Sequence, residues 1–436
     1  MFAVLLSEPA FAGPADDVSQ TRLKADVAKL VSFGTRHTAS SQTDKARGIG
    51  AARAWAEAEM RKTSAACGGC LTIVLPEQMV ADDSIKTPLR IVNVVAIQKG
   101  TERPGEVVIV QGHIDSRNSN LSDAVNDAPG ANDDGSGTAL VLEAARVLSR
   151  QTYPTTIVYA VLTGEEQGLY GGKLLADYAA AQGWKIKAVL NNDIVGNSRG
   201  SDGLIDDVHA RVLSEGVRAD ANAALRDAQR QDGGENDSPS RNLSRWLAGL
   251  AARDAGGLAV RQIWRADRMG RGGDHLPFLD KGYPAVRFSV AVEDYDRQHQ
   301  DVRTENGKAY GDTIDLMDFA YLAKMVRLNV RALAALAAAP MPPTATATAA
   351  KQTFTDIAWA PVAGATGYTI WRRRTDAPGW EEQVGETTTA TTLRLDGVRG
   401  DDWIFGVSAR SSAGAESPIA AAVPGGGFAP TARAAP

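Results

Sequence analysis

The sequence predicts an α/β protein, a mostly parallel sheet flanked by helices, followed by a small all-β sandwich. Three observations carry this. Apolar, β-branched runs beginning at Val107, at Thr156 and at Ile186 read as buried strands. Helix-period segments lie between them, so the strands should be parallel and end on one shared edge. From Lys351 to about Pro424 the helical period disappears, and Ile357/Trp359, Tyr368/Ile370, Leu393/Leu395 and Phe405/Val407/Ala409 alternate between Gly- and Asp-bearing turns.

Taken in order, Met1–Ala12 is an apolar tip ending in Ala10-Phe11-Ala12, the cleavage pattern of a signal peptide truncated at its positive end. Asp17–Phe33 is a predicted helix with Val18, Leu23, Val27 and Leu30 on one face. A loop at Gly34–Thr38 follows, whose His37 is read as hydrogen-bonding backbone. The second helix is placed at Ser41–Lys62, and strands at Leu71–Leu75 and Ile91–Ile97. Cys67 and Cys70 are the only cysteines, too few for a thiolate metal site, and a local disulfide is the expected state in an oxidising compartment.

The central strands end in chemistry. The first breaks at Gly112 before His113 and Asp115, and a glycine-framed loop then carries Asp133 and Asp134 to the start of a helix at Thr138–Ser149. Such an acidic pair also reads as an N-cap. The second strand ends in Thr163-Gly164-Glu165-Glu166 and the third in Asn191-Asn192-Asp193. One sheet edge therefore collects at least four carboxylates and an imidazole, which would repel one another and raise one another's pKa without a cation. Imidazole with carboxylate and no thiolate suits zinc. Asp115, two residues beyond His113, is placed to accept its other ring N–H.

After Asp193, a helix is expected at about Ser214–Gln231, with His209 before it as a surface residue. A second helix follows at Ser240–Ala255, and strands at Leu258–Trp264 and Ala285–Val290. Arg268–Gly273 is a loop rich in glycine and arginine. Thr313–Ala338 closes the domain as a helix whose stripe runs through Phe319, Ala323, Val326, Val330 and Leu333. Domains are accordingly drawn at 13–338, a linker at 339–350, the sandwich at 351–424 and a disordered tail at 425–436.

The motifs GHIDS, GANDDGSG, LTGEEQGLYG and NND, in this order, resemble the dizinc aminopeptidases of the bacterial leucyl-aminopeptidase type, over roughly Leu23 to Leu336. The resemblance implies a phosphorylase/hydrolase-like α/β fold and two zinc ions per chain. His113 and Asp193 would hold one zinc, Glu166 and His299 the other, and Asp133 would bridge them. Glu165 matches the general base and Asp115 the carboxylate that orients His113. Asp274-His275-Leu276-Pro277-Phe278 matches a further motif whose histidine approaches the site without binding zinc. Asp134, Asp274 and His275 are thus placed behind the ligands or on the substrate side. Around His299 the chain departs from the family form, with Gln300-Asp301-Val302-Arg303-Thr304 where a threonine and an Asp-Thr pair are common, and His275 is the alternative ligand.

The resemblance implies peptide N-termini as substrate. Competing readings are a glutaminyl cyclase, a carboxypeptidase or dipeptidase, and a non-catalytic binding protein on the same scaffold. The C-terminal segment resembles a fibronectin type III domain, with an expected role in spacing or in binding a surface or polymer. A net charge of −5 without a dense basic run argues against nucleic acid, and no run of apolar residues reaches membrane-span length. A periplasmic or secreted location in a bacterium is the expectation.

Overall fold

The computed structural model describes residues 13–81, 87–349 and 351–431. The apolar tip read as a truncated signal peptide lies outside them, as do residues 432–436 of the tail.

The first helix, α1 (Gln20–Val31), starts where the Ser19 hydroxyl accepts the Arg22 N–H. The second, α2, spans Gly48–Ala66. The expected start at Ser41 fails for a local reason: the Asp44 carboxylate accepts the N–H groups of Ala46 and Arg47 and holds that segment in turns. Strands β1 (Leu71–Val74), β2 (Glu77–Val80), β3 (Leu89–Val92) and β4 (Val94–Gln98) follow. The single strand expected at Ile91–Ile97 is broken at Asn93, whose amide donates to the Gly171 carbonyl and accepts the Thr163 N–H. Cys67 and Cys70 form a disulfide.

The centre of the fold is β5 (Arg103–His113), α3 (Gly135–Leu148), β6 (Thr155–Leu162), α4 (Tyr170–Ala181) and β7 (Lys185–Asn192). β5 pairs in parallel with both β6 and β7, so their carboxyl ends share an edge as expected. Next come β8 (His209–Leu213), α5 (Ala223–Asp232), α6 (Pro239–Ala251), β9 (Ala259–Ile263), α7 (Leu276–Asp280) and β10 (Ala285–Val290). β10 runs parallel to β7, and the eight-stranded sheet has the order β1-β4-β6-β5-β7-β10-β8-β9. β8 was not expected, and half-buried His209 lies in it with Nδ1 2.9 Å from Asp206 Oδ1. The helix expected from Ser214 begins only at Ala223, where Asn222 accepts the Leu225 N–H. A hairpin, β11 (Arg303–Glu305) and β12 (Lys308–Tyr310), precedes the closing helix α8 (Phe319–Ala338). α8 starts at Phe319 because Asp318 caps the N–H groups of Ala320 and Tyr321, each at 3.0 Å.

Strand side chains alternate between two cores. Val108, Val110, Ile157, Tyr159, Ala188 and Leu190 join α1, α2, α3 and α8 on one face, while Val107, Ile109, Val158, Ala160 and Val189 join α4 and α7 on the other. A helix layer therefore covers each face of the central strands, leaving their carboxyl ends for the site. The contact of α3 with the sheet edge is close: a Cβ on Gly137 would lie 2.2 Å from the Asn192 carbonyl oxygen.

The C-terminal domain has two sheets. β13 (Ala345–Thr348), β14 (Phe354–Trp359) and β17 (Thr392–Asp396) form one; β16 (Glu382–Gln383), β15 (Gly367–Arg374), β18 (Trp403–Arg410) and β19 (Ala420–Ala421) form the other. Trp359, Tyr368, Ile370, Phe405 and Val407 fill the space between them. Two boundaries are corrected. The linker drawn at 339–350 contains β13, which pairs with β14 and belongs to the sandwich. The tail drawn as disordered is held as far as Thr431: Arg218 donates to the carbonyls of Gly427 and Ala429, Phe428 is buried, and the Thr431 N–H reaches Asp220. No helix among the described residues is long and apolar enough to cross a membrane.

Candidate metal centre and active site

His113 ends β5, Glu165 and Glu166 follow β6, and Asp193 follows β7, so three neighbouring strands deliver their polar ends to one crevice. The loop before α3 adds Asp133, and the loop after β10 adds His299. His113 Nε2 lies 3.3 Å from Asp133 Oδ1 and 3.8 Å from Asp193 Oδ1. His299 Nε2 lies 2.9 Å from Asp133 Oδ2 and 3.3 Å from Glu166 Oε2. Asp133 thus offers one oxygen to each histidine. Potential donor atoms of His113, Glu165 and Asp193 all lie within 4.8 Å of one another, as do those of Asp133, Glu166 and His299.

This donor set fits zinc on two counts. It consists of imidazole nitrogen and carboxylate oxygen. In addition, His113 Nε2 and Glu166 Oε1 are buried without a hydrogen-bond partner among the described residues, an arrangement that costs stability unless something else occupies them. Electrostatics agree. Burial first, then the charges of Asp193, Glu166 and Asp274, push the Glu165 carboxyl well above its ordinary range. Burial and Asp133 raise Glu166 against the pull of His299. Divalent cations would let these carboxylates remain charged together.

The supporting residues are where sequence reasoning was least complete. Asp115 was expected to accept the His113 ring N–H through its carboxylate. Nδ1 instead hydrogen-bonds to the Asp115 backbone carbonyl at 3.1 Å, with the nearer carboxylate oxygen 3.6 Å away. That carboxylate accepts the N–H groups of Gly164, Glu165 and Glu166 and the Thr38 hydroxyl. Its main work is to shape the loop that carries both glutamates. Asp134 fulfils the N-cap reading: Oδ1 accepts the Gly137 N–H while Oδ2 accepts the His113 N–H. The Asp133–Asp134 peptide is cis.

Asp312, Arg287 and Arg36 were not anticipated. The Asp312 carboxylate accepts the N–H groups of Asn132 and Asp133 and so fixes the Asp133 loop. The β11–β12 hairpin lies between His299 and Asp312-Thr313. Arg287, fully buried in β10, places Nη2 2.9 Å from Asp193 Oδ1. The buried Arg36 donates to the carbonyls of Ile114, Pro129 and Gly130, tying the end of β5 to the Asp133 loop. His37 does bond backbone, with Nε2 2.8 Å from the Leu121 carbonyl.

His275, the alternative ligand, is buried away from both trios, with Nε2 2.7 Å from the Ala266 carbonyl. The structure brings His299, not His275, to the carboxylates. Asp274 accepts the Gly172 N–H in the first turn of α4, and burial raises its carboxyl to about 7. Leu169, Ile194 and His299, each adjoining or within the site, have φ near +57° to +59° or +56°, a region side chains avoid. The branched Ile194 is the most constrained; the Val195 N–H bond to Ser136 helps hold this stretch. The cavity above the two trios has a volume of about 460 Å³, and its wall includes Gln167, Leu169, Arg268, Arg271 and Gly272.

The sequence matches Peptidase family M28 over residues 93–329. A probable zinc metalloprotease of Leptosphaeria maculans is 41% identical, covering 94% of this chain and 96% of its own length. Another from Pyricularia oryzae is also 41% identical, covering 94% and 83%. Both relatives are fungal, whereas the resemblance in the sequence pointed to a bacterial type. The fold is shared with Legionella pneumophila LapA, at a TM-score of 0.54 with 18% identity over 74% of this chain and 75% of LapA. LapB from the same organism aligns at 0.52 and 18%, over 73% and 72%. From the family match across the catalytic centre and from relatives similar over nearly the whole chain, the conclusion is that this chain belongs to peptidase family M28.

Proposed function

We propose that this M28 peptidase is a two-zinc aminopeptidase that removes N-terminal residues from peptides. The observation that carries the reading is Asp133, with one carboxylate oxygen toward His113 and the other toward His299. His113 and Asp193 would hold one zinc, Glu166 and His299 the other, with Asp133 between. When bound, such a pair lowers the pKa of a water and polarises the scissile carbonyl. Glu165 takes the proton from the attacking water on its carboxylate and returns it to the leaving amine. Asp115 keeps Glu165 and Glu166 in place through their backbone N–H groups, and Arg287 steadies Asp193. Binding of a free N-terminus beside the metals and carboxylates would restrict cleavage to the first residue, a restriction that rests on the resemblance to the aminopeptidases. LapA is described as an aminopeptidase, in keeping with this reading.

The Cys67–Cys70 disulfide supports an oxidising, periplasmic or secreted location. The C-terminal sandwich is proposed as a fibronectin type III-like module that binds a surface or polymer. The test of the activity compares one peptide with a free N-terminus, the same peptide N-acetylated, and the same peptide C-amidated. Cleavage of the free and C-amidated forms but not the acetylated one is expected; cleavage of the free and acetylated forms but not the C-amidated one would identify a carboxypeptidase.

A further inference from the structure

The glycine- and arginine-rich loop after β9 supplies no donor atom to either trio, yet it forms one wall of the cavity through Arg268, Arg271 and Gly272. Its charge is unbalanced. Three guanidinium groups, from Arg211, Arg268 and Arg271, converge on the single buried carboxylate of Glu293. Asp267 serves Arg268 but is shared with Arg287, at 3.0 and 3.3 Å.

Arg271 is the member with donors to spare. Its hydrogen bonds leave from Nη1 alone, to Glu293 at 2.8 Å and Gln298 at 3.4 Å, so Nε and Nη2 have no partner among the described residues. Its side chain is 30% exposed, whereas that of Arg268 is only 10% exposed. Among the lining residues Leu169 is the one sizeable apolar side chain, which makes the wall a poor seat for a large apolar group. A guanidinium held on one side by a buried carboxylate and open on the other presents its fork to a planar anion.

Building on the peptidase reading, we propose that Arg271, backed by Arg268, is a carboxylate-binding subsite that selects peptides bearing a carboxylate near the scissile bond. Two sources share that chemistry: an acidic N-terminal side chain, and the free C-terminus of a short peptide. Arg271 acts on substrate binding and takes no part in the proton transfer.

The experiment uses the full zinc-loaded chain and two substrate pairs. One pair differs by glutamate against glutamine as the N-terminal residue; the other is a dipeptide with a free against an amidated C-terminus. The wild-type protein should favour the carboxylate member of one pair, and that pair names the source. Arg271→Gln should cut this preference in kcat/KM by roughly tenfold to a hundredfold, mostly through KM, and Arg271→Lys should keep part of it. The preference is a ratio within one sample, so partial misfolding does not move it, and a purely structural role for Arg271 would leave it unchanged. A wild-type preference below about twofold in both pairs overturns the proposal, as does an Arg271→Gln protein that retains the full preference. Calorimetric binding of the same peptides to the Glu165→Gln protein gives a readout free of turnover. If nothing is hydrolysed the peptidase reading fails, and the binding preference still decides the subsite.

Discussion

The proposed mechanism gives the neighbours Glu165 and Glu166 different work, and single substitutions should separate them. Glu165→Gln keeps shape and reach but cannot accept a proton, so turnover should fall by roughly 10²-fold or more with zinc retained. Glu166→Gln removes a charged oxygen from the set around His299, so one zinc should bind far more weakly and excess zinc should restore part of the activity. Zinc stoichiometry measured beside turnover distinguishes the two, and loss of metal in Glu165→Gln with retention in Glu166→Gln would reverse the assignment. His113, Asp133, Glu165, Glu166 and Asp193 were legible in the sequence because each ends a buried strand or sits in a glycine-framed loop, whereas His299, in a polar loop well past β10, came from the resemblance alone. Asp312, Arg287 and Arg36 were not legible, since their partners are backbone groups or carboxylates brought close only by folding. Asp115 shows the middle case: its importance could be read from its spacing to His113, but its grip on the Gly164–Glu166 loop is a contact across 49 to 51 positions.

Among the elements, the parallel arrangement of β5, β6 and β7 could be read from apolar runs separated by helical periods. Boundaries were misjudged where one polar side chain decides them: Asp44 delays α2, Asn93 interrupts a strand, and Asp318 starts α8. β13 was hidden because Ala345–Thr348, rich in alanine and threonine, lacks the large apolar residues that mark a strand. The α8 cap offers a direct check. Asp318→Ala should cost about 1 kcal/mol of stability through loss of the N-cap, seen as a lower midpoint in urea. An unchanged midpoint would mean that packing alone sets the start of α8.

For the whole molecule, the sandwich and tail are docked on the catalytic domain. Asp237, in the loop before α6, is buried between Arg373 of the sandwich at 2.7 Å and Arg245 of α6 at 2.9 Å. Trp380 donates to Asn242 at 3.2 Å. Arg373→Ala leaves Asp237 with Arg245 as its remaining partner, so it should destabilise the protein by less than the roughly 3–5 kcal/mol lost when a buried charge is stripped of its only partner. Thermal unfolding would show it as a lower Tm, and a wild-type Tm would show that the domains are held by other contacts. A chain ending near Ala339 adds the loss of the tail contacts of Arg218 and should be less stable still, although the sandwich supplies no residue to the cavity wall. Under this interface, burial pushes Glu215 up to about 8 from an ordinary 4.5. The folded state therefore binds the extra proton between those values, so this group's contribution to stability falls as pH rises from about 4.5 to about 8 and is lost above it. Glu215→Gln should flatten that part of the stability–pH profile; an unaltered slope would show that Glu215 does not titrate there. The claim on which everything else rests is the pair of metal positions sharing Asp133. Metal analysis of the purified full chain, with peptidase activity followed before and after chelation, tests it most directly. About two zinc ions per chain and loss of activity on their removal are expected; a single zinc with full activity, or full activity without metal, would contradict it.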